Sequence, residues 1–357
     1  MRDETWPHAL WWLVCAAVII AMAVGIAARR RRPPIDDGRT PTWTQHAAVV
    51  VNPTKLPDPA AYQCWLRGVM ATAGWIDPLW LETSLADPGR GQAAAAVRAG
   101  VDVVFACGGD GTITACASAL ADTGIPLAVV PLGTGNLFAR NLNLPLDASE
   151  AVRIGLTGVN RPIDVGVAGG RRFLVMAGIG LDAAMVADAP ERLKKRLGWA
   201  AYVVSVLRHA RDRQMRVTLR LDEQPPLRRR ARMVLVGNVG ALQGGVQLLP
   251  DARPDDGLLD VVVFAPRRTR DWVRVGFRVI TRRSRGDQHI AHFQARHVEI
   301  QTDRPEPRQL DGDLIGMGTS LDITIDPGAL LVRTPRPPDW LKGPFTQSYC
   351  VKGPFNQ

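Results

Sequence analysis

The 357-residue sequence predicts an N-terminal α/β domain followed by an antiparallel β domain, with one transmembrane helix ahead of both. Three observations carry this. Between Ala47 and Pro131 short apolar, β-branched runs alternate with helix-like stretches, the pattern of a parallel sheet with helices on both faces. From about Arg161 the pattern changes to short strands with no crossover helix between most neighbours, which favours antiparallel pairing. Finally, Ala9 to Ala28 are twenty consecutive uncharged residues, about 30 Å as a helix and enough to cross a bilayer.

In chain order, Trp6, Trp11 and Trp12 sit near the leading end of the apolar run, and Arg29 to Arg32 follow it. A secretory signal carries its positive charge before the apolar run, not after. The positive-inside rule then keeps the main body cytoplasmic, as a single-pass protein of the cell (inner) membrane. Pro33 to Thr44 holds three prolines and reads as a linker, so residues 1–45 are anchor and linker. Ala47–Val51 is the first strand, ending in Asn52-Pro53-Thr54-Lys55. A helix over Ala60–Ala73 stops at Gly74, a strand covers Leu79–Thr83, and an alanine-rich helix over Gln92–Ala99 stops at Gly100. Val101 to Ala106 lead into Cys107-Gly108-Gly109-Asp110-Gly111-Thr112, then a helix from Ile113 to Ala121. Leu127–Pro131 is a strand running into Leu132-Gly133-Thr134-Gly135-Asn136.

The α/β domain is therefore 46–160 and the second domain 161–325. There, Ile163–Ala168 and Arg172–Ala177 flank a Gly169-Gly170 hairpin turn. Gly178 to Ala184 is a glycine-containing turn and Lys194–Arg211 a helix. Strands are expected over Met215–Asp222, Arg232–Asn238, Leu258–Ala265, His297–Thr302 and Leu321–Ile325. Residues 336–357 read as a disordered tail.

The net charge of +10 favours an anionic partner. Five cysteines, with no C-x-x-C pair, indicate a reducing compartment without a disulfide framework or zinc site. The loops after Val51, Cys107 and Pro131 all fall at strand carboxyl ends, where ligands of α/β sheets bind. Glycines there let main chain approach a phosphate, and the free N–H groups of a following helix point at it. Asp110 cannot meet a phosphate directly; it calls for Mg²⁺ or ordered water between them. Taken alone, the same turn has a second, weaker reading as a plain strand-to-helix junction with an aspartate cap. There is no G-x-x-x-x-G-K-[ST] sequence.

Six segments occur in one order: Val51-Asn52-Pro53-Thr54, Gly108-Gly109-Asp110-Gly111-Thr112, Pro131-Leu132-Gly133-Thr134-Gly135-Asn136-Leu137-Phe138-Ala139-Arg140, Gly178-Ile179-Gly180-Leu181-Asp182-Ala183, Pro254-Asp255-Asp256-Gly257-Leu258-Leu259-Asp260 and Leu310-Asp311-Gly312-Asp313. Over roughly residues 46 to 333 the chain resembles the diacylglycerol kinase catalytic-domain family, which includes bacterial lipid kinases and sphingosine kinases. The resemblance implies a C-terminal β-sandwich and a return of the chain at about 326–335 to complete the first domain. It implies ATP and Mg²⁺ as cofactors and, as partner, a lipid with a free hydroxyl such as diacylglycerol, met at the cytoplasmic membrane face.

By the same resemblance Asn52 and Thr54, the loop Gly108, Gly109, Asp110, Gly111 and Thr112, and the loop Gly133, Thr134, Gly135 and Asn136 hold ATP. The Thr112 and Thr134 hydroxyls suit that task. Asp110 orients the nucleotide and its Mg²⁺. Asp311 is the general base that accepts the lipid hydroxyl proton, and Asp313 contacts phosphate or metal. Asp256 resembles the family's structural Mg²⁺ turn.

Three positions depart from the family pattern: Leu137 replaces an acid, Thr114-Ala115 replace Asn-Glu, and Asp313 replaces Glu. The first two remove polar groups near the pocket. They leave a catalytically silent lipid- or nucleotide-binding membrane protein as an alternative. An NAD kinase-like enzyme is another, because Gly-Gly-Asp-Gly-Thr is shared with that family. Eight arginines between Arg267 and Arg285, four of them at every fourth residue, form a helical stripe facing anionic headgroups or solvent. No nucleic-acid motif is present, and a homodimer is neither required nor excluded.

Overall fold

The structure, a computed structural model, describes residues 45–180, 214–241, 247–266, 271 and 289–336. The expected span at 9–28, the helix over 194–211, the arginine stripe (Asp271 within it excepted) and the tail from 337 lie outside the described residues. Among the described residues no helix is long and apolar enough to cross a membrane.

The N-terminal half is a parallel sheet between two helical layers. Its strands are β1 (Ala47–Val51), β2 (Leu79–Glu82), β3 (Val103–Gly108) and β4 (Leu127–Pro131). Five helices accompany them: α1 (Pro59–Thr72), α2 (Arg90–Arg98), α3 (Asp110–Leu120), α4 (Leu137–Asn141) and α5 (Ala148–Thr157). The strand order is β4-β3-β1-β2. Side chains alternate between faces, so a strand buried on both sides reads as continuously apolar. Val49, Phe105 and Ala128 pack with Leu66 and Met70 of α1 and with Val152 of α5. Val50, Val104 and Val129 pack with Ala93 of α2 and with Ile113 and Leu120 of α3.

Local chemistry fixes the helix starts. Pro59 follows Asp58, whose carboxylate accepts the Ala61 N–H at 2.9 Å; Asp147 does the same for Glu150 at 2.9 Å.

The C-terminal half is β-rich. Its strands are β5 (Val159–Ala168), β6 (Arg171–Phe173), β7 (Met176–Gly180), β8 (Met215–Leu221), β9 (Leu227–Ala231), β10 (Met233–Gly237), β11 (Leu259–Phe264), β12 (Ile290–Ala295), β13 (His297–Leu310) and β14 (Asp313–Thr334). All of their mutual pairings are antiparallel. A separate core holds them, with Phe173, Ile179, Val234, Val261, Ile300 and Ile323 among its buried members.

β14 is far longer than the five-residue strand expected at Leu321–Ile325. It starts at the Asp311-Gly312 turn, pairs with β13 and then β5, and ends beside β4 with Val332 opposite Leu127 in parallel. Antiparallel and parallel strands thus form one hydrogen-bonded sheet.

Candidate functional site

The chain leaves β1 towards β2 on one side, then returns to β3 on the other. In open α/β sheets the crevice at such a reversal, outside the strand carboxyl ends, is where ligands bind. Both neighbours of that crevice end in predicted loops. The Asn52 N–H donates to the Cys107 carbonyl at 2.9 Å and the Leu132 N–H to the Gly108 carbonyl at 2.8 Å. The three loops are therefore laced together through the mouth of β3.

The two glycine loops touch backbone to backbone. A Cβ on Gly133 would lie 2.8 Å from the Gly109 Cα and 2.9 Å from the Asn136 Oδ1. Only glycine permits that approach. Asn136, left-handed at φ 49°, closes the second loop: its Oδ1 accepts the Gly133 N–H at 3.0 Å and its Nδ2 donates to the Gly133 carbonyl at 2.9 Å. At the rim Gly111, Thr134 and Thr54 are exposed. Helix α3 starts behind Gly109 without a side-chain cap, so its first N–H groups are left for a ligand or solvent. Asn52 is turned onto Thr54, accepting from its N–H at 3.1 Å and its hydroxyl at 2.7 Å.

Two of the predicted residues are held by the protein itself. Thr112 is only 3% exposed, and a Cβ on Gly108 would lie 2.6 Å from the Thr112 Cβ. Its side chain wedges beneath the loop, so its hydroxyl is not offered to a phosphate; Thr134 keeps that option. Asp110 does not face the crevice as an isolated carboxylate. Its Oδ1 accepts the Leu137 N–H at 2.6 Å, and the Phe138 and Asn136 main-chain N–H groups lie near enough to favour its charged form. Burial pushes this carboxyl above its ordinary range, and those N–H groups oppose the shift. Asp110 is thus the cap of α4, a latch between the two loops.

Asp311 lies in the β13–β14 turn in a left-handed conformation, φ 49°. Its Oδ1 accepts the Val175 N–H at 2.8 Å and the Met176 N–H at 2.9 Å. Its Oδ2 accepts the Leu174 N–H at 2.8 Å and the Thr114 hydroxyl at 3.0 Å. Burial pushes this carboxyl up; the three main-chain donors and Thr114 pull it down. An ionised carboxylate has about four lone-pair sites, and four donors occupy them. These four donors hold in place the carboxylate expected to act as general base. Asp313, two residues on, is exposed, and among the described residues its carboxylate has no partner.

The predicted metal turn lies elsewhere, against β5 and β14. Asp255 pairs with Arg161 at 2.6 Å. The buried Asp164 accepts the Gly257 and Gly328 N–H groups, each at 2.7 Å, and Asp256 accepts the Leu258 N–H at 3.0 Å. Burial raises the Asp256 carboxyl, helped by Asp164 and Asp255. Each of these three carboxylates already has a protein donor. Among the described residues no group of three or more His, Cys, Asp or Glu side chains is arranged to hold a metal. Asp256 and Asp110, the expected Mg²⁺ ligands, each accept a main-chain N–H bond, from Leu258 and Leu137 respectively.

Two residues that sequence reasoning left without a site role tie the halves together. Thr114 bonds a residue 197 positions away. Asn141 of α4 accepts the Ala241 N–H at 2.9 Å and donates to the Ala241 carbonyl at 2.8 Å. Thr114 was visible as a departure from the family pattern, but nothing in the sequence pointed to its partner.

Comparison with known proteins agrees with this geometry. Residues 47–168 match the family described as diacylglycerol kinase catalytic domain, and residues 174–334 the family described as YegS C-terminal NAD kinase beta sandwich-like domain. The diacylglycerol kinase of Bacillus subtilis is 30% identical over 249 residues, 69% of this chain and 82% of that protein. A Pseudomonas fluorescens protein named "Probable lipid kinase YegS-like" is 33% identical over 280 residues, 76% of this chain and 90% of that one. An uncharacterized protein of Synechocystis is 26% identical, and the chain spans 55% of its length. Among solved structures, a diacylglycerol kinase of Bacillus anthracis superposes with a TM-score of 0.64 at 25% identity, covering 83% of this chain and 98% of that one.

Proposed function

Because the chain belongs to the diacylglycerol kinase catalytic-domain family, we propose that it is an ATP-dependent lipid kinase that transfers the γ-phosphoryl group to the hydroxyl of diacylglycerol or a related lipid. The observation that carries the reading is the Thr114–Asp311 hydrogen bond at 3.0 Å. It joins the late Asp-Gly-Asp turn to the helix that begins in the first glycine loop, so a phosphate-facing element and an acceptor-side element meet.

The chain's own groups divide the work of phosphoryl transfer into holding, positioning and proton removal. The touching glycine loops present main chain to the phosphates. Asp110 and Asn136 keep those loops in register. The exposed Asp313 would help hold a nucleotide-borne Mg²⁺, which would supply neutralisation of phosphate charge.

Proton removal runs through Thr114. Its hydroxyl can accept as well as donate. The lipid hydroxyl gives its proton to the Thr114 Oγ1 as Thr114 gives its own to the Asp311 Oδ2, while the lipid oxygen bonds to phosphorus and the bond to the nucleotide's leaving oxygen breaks. Burial, by raising the Asp311 carboxyl, makes it a better final acceptor. The acceptor's insolubility puts the reaction at a bilayer. That suits a chain anchored through residues 9–28, an expectation carried over from the sequence.

The test is one assay. Detergent-solubilised full-length protein is incubated with labelled ATP, Mg²⁺, a panel of lipids and NAD, beside an Asp311→Asn variant. Label should enter a lipid and fall by orders of magnitude in the variant. Label entering NAD alone, or no acceptor, or equal labelling by the variant, refutes the reading.

A further inference from the structure

We propose that the outer face of the β8–β9 hairpin is a docking surface for anionic lipid headgroups, formed by Arg216, Arg228 and Arg230. The register puts Arg216 directly opposite Arg230, and Thr218 opposite Arg228. Residues two apart on a strand share a face, so the three arginines stand together. Like charges directly opposite each other weaken a strand pair. Among the described residues none of the three has an acidic partner, whereas Arg220, further along the same face of β8, pairs with Glu299 at 3.1 Å. The acid beside them, Asp303, accepts the Arg216 main-chain N–H at 2.9 Å and belongs to the backbone ladder rather than to a guanidinium. The three arginines line a depression of about 520 Å³ together with Arg229, Thr218, Gln301 and Asp303.

Edge protection is the ordinary use of charge on a terminal strand, and β9, which among the described residues pairs only with β8, is such a strand. It does not account for Arg216, because β8 is flanked on both sides, by β13 and β9. Nor does the face suit single-stranded nucleic acid, which is held by aromatic stacking: no aromatic side chain lines the depression. A bilayer is chosen as the anion because the proposed acceptor resides in one, and to that extent the inference rests on the lipid-kinase reading.

The experiment uses full-length protein and floated vesicles of phosphatidylcholine alone or with 30% phosphatidylglycerol, the preference for the second over the first being the readout. An arginine near an anionic surface is worth about a fivefold gain in partition. Replacing all three by glutamine should therefore cut the preference on the order of 100-fold, and three lysines should retain most of it. Hydrogen exchange of residues 215–231 should slow on phosphatidylglycerol vesicles and not on phosphatidylcholine. Wild-type preference in the glutamine variant, with a wild-type melting curve, overturns the proposal. So does loss of the preference in millimolar inorganic phosphate, which would make this a free-phosphate site, or tighter binding to an oligonucleotide than to the vesicles. Phosphorylation of detergent-dispersed lipid is measured on the same variants. The docking surface can fail while that activity persists, and the kinase reading can fail while docking persists.

Discussion

Replacing Thr114 by valine keeps the side chain's shape and removes one proton. In the structure that proton completes the shell of donors around Asp311. A hydrogen bond to a charged group contributes about 1.5–3 kcal/mol, so Thr114→Val should lower the thermal midpoint by roughly 5 °C near neutral pH. The Thr114 bond favours the ionised carboxylate, so the penalty is full where Asp311 is ionised and shrinks as pH falls through its raised pKa. The same substitution breaks the proton route. Turnover of lipid at saturating ATP should fall about 10- to 100-fold, the equivalent of 1.5–3 kcal/mol in the barrier, with the apparent affinity for ATP little changed. Thr114→Ser, which keeps the hydroxyl, should recover most of both losses. The assays are calorimetric melting between pH 5 and 8 and label transfer from ATP to detergent-dispersed lipid. Wild-type turnover and a wild-type melting curve in the valine variant would refute the assignment, because among the described residues no other side-chain donor reaches Asp311. Normal turnover with a lowered midpoint would leave Thr114 an anchor and remove it from the proton path.

Gly133→Ala brings a methyl group within 2.8 Å of the Gly109 Cα; it should cost about 1–3 kcal/mol in stability and weaken ATP-analogue binding in titration calorimetry. Asp110→Ala releases α4 from the first loop and should lower both the midpoint and nucleotide affinity, while Asp110→Asn, which can still accept the Leu137 N–H, should keep most of the stability. Burial pushes the Asp260 carboxyl up to about 6, with Asp256 and Asp251 adding to the rise and Gln294 opposing it. Its stabilising contribution is complete below the ordinary carboxylate pKa and is lost as pH rises through about 6, so Asp260→Asn should raise the midpoint at pH 8 and flatten its slope between pH 5 and 7. Chelation in the absence of nucleotide should leave the midpoint unchanged, since Asp164, Asp255 and Asp256 already have donors; a fall on adding EDTA would reveal a bound ion.

Some of this was readable before any coordinates. β1, β3 and β4 announce themselves because a strand buried on both faces has no polar positions to blur it. The loops at Asn52, Gly108 and Gly133 follow, since glycine and asparagine cluster where main chain must bend or approach closely. Other elements were hidden for specific reasons. Leu227–Ala231 was not among the expected strands: three consecutive arginines mask any alternation, although an edge strand needs only one side paired. β14 includes Gly316, Gly318, Pro327 and Gly328 and exposes most of its first eight residues, so no period of two survives. Helix α5 carried a signal that went unused: Asp147 with Glu150 three residues later, ahead of apolar Ala151 and Val152.

At the site, residue types gave the neighbourhood but not the side-chain directions. Thr112 pointing inward and Asp110 reaching for Leu137 depend on how two loops meet. The Thr114–Asp311 contact spans 197 positions, which no local pattern encodes.

The strands that cross between the halves, β5 and β14, run side by side. They are paired from Val159 opposite Thr334 to Ala168 opposite Ile323, with one interruption between Asp326 and Leu330. Two loose linkers would behave as hinge pins, letting either half swing freely. A laced ribbon behaves as a leaf spring: it stores torsion along its length and yields first where its ladder is broken. That weak place is Pro327-Gly328, and the Asp164 carboxylate clasps it through the Gly328 N–H. The two halves are thus joined by a paired ribbon whose one interruption is held by the Asp164 carboxylate.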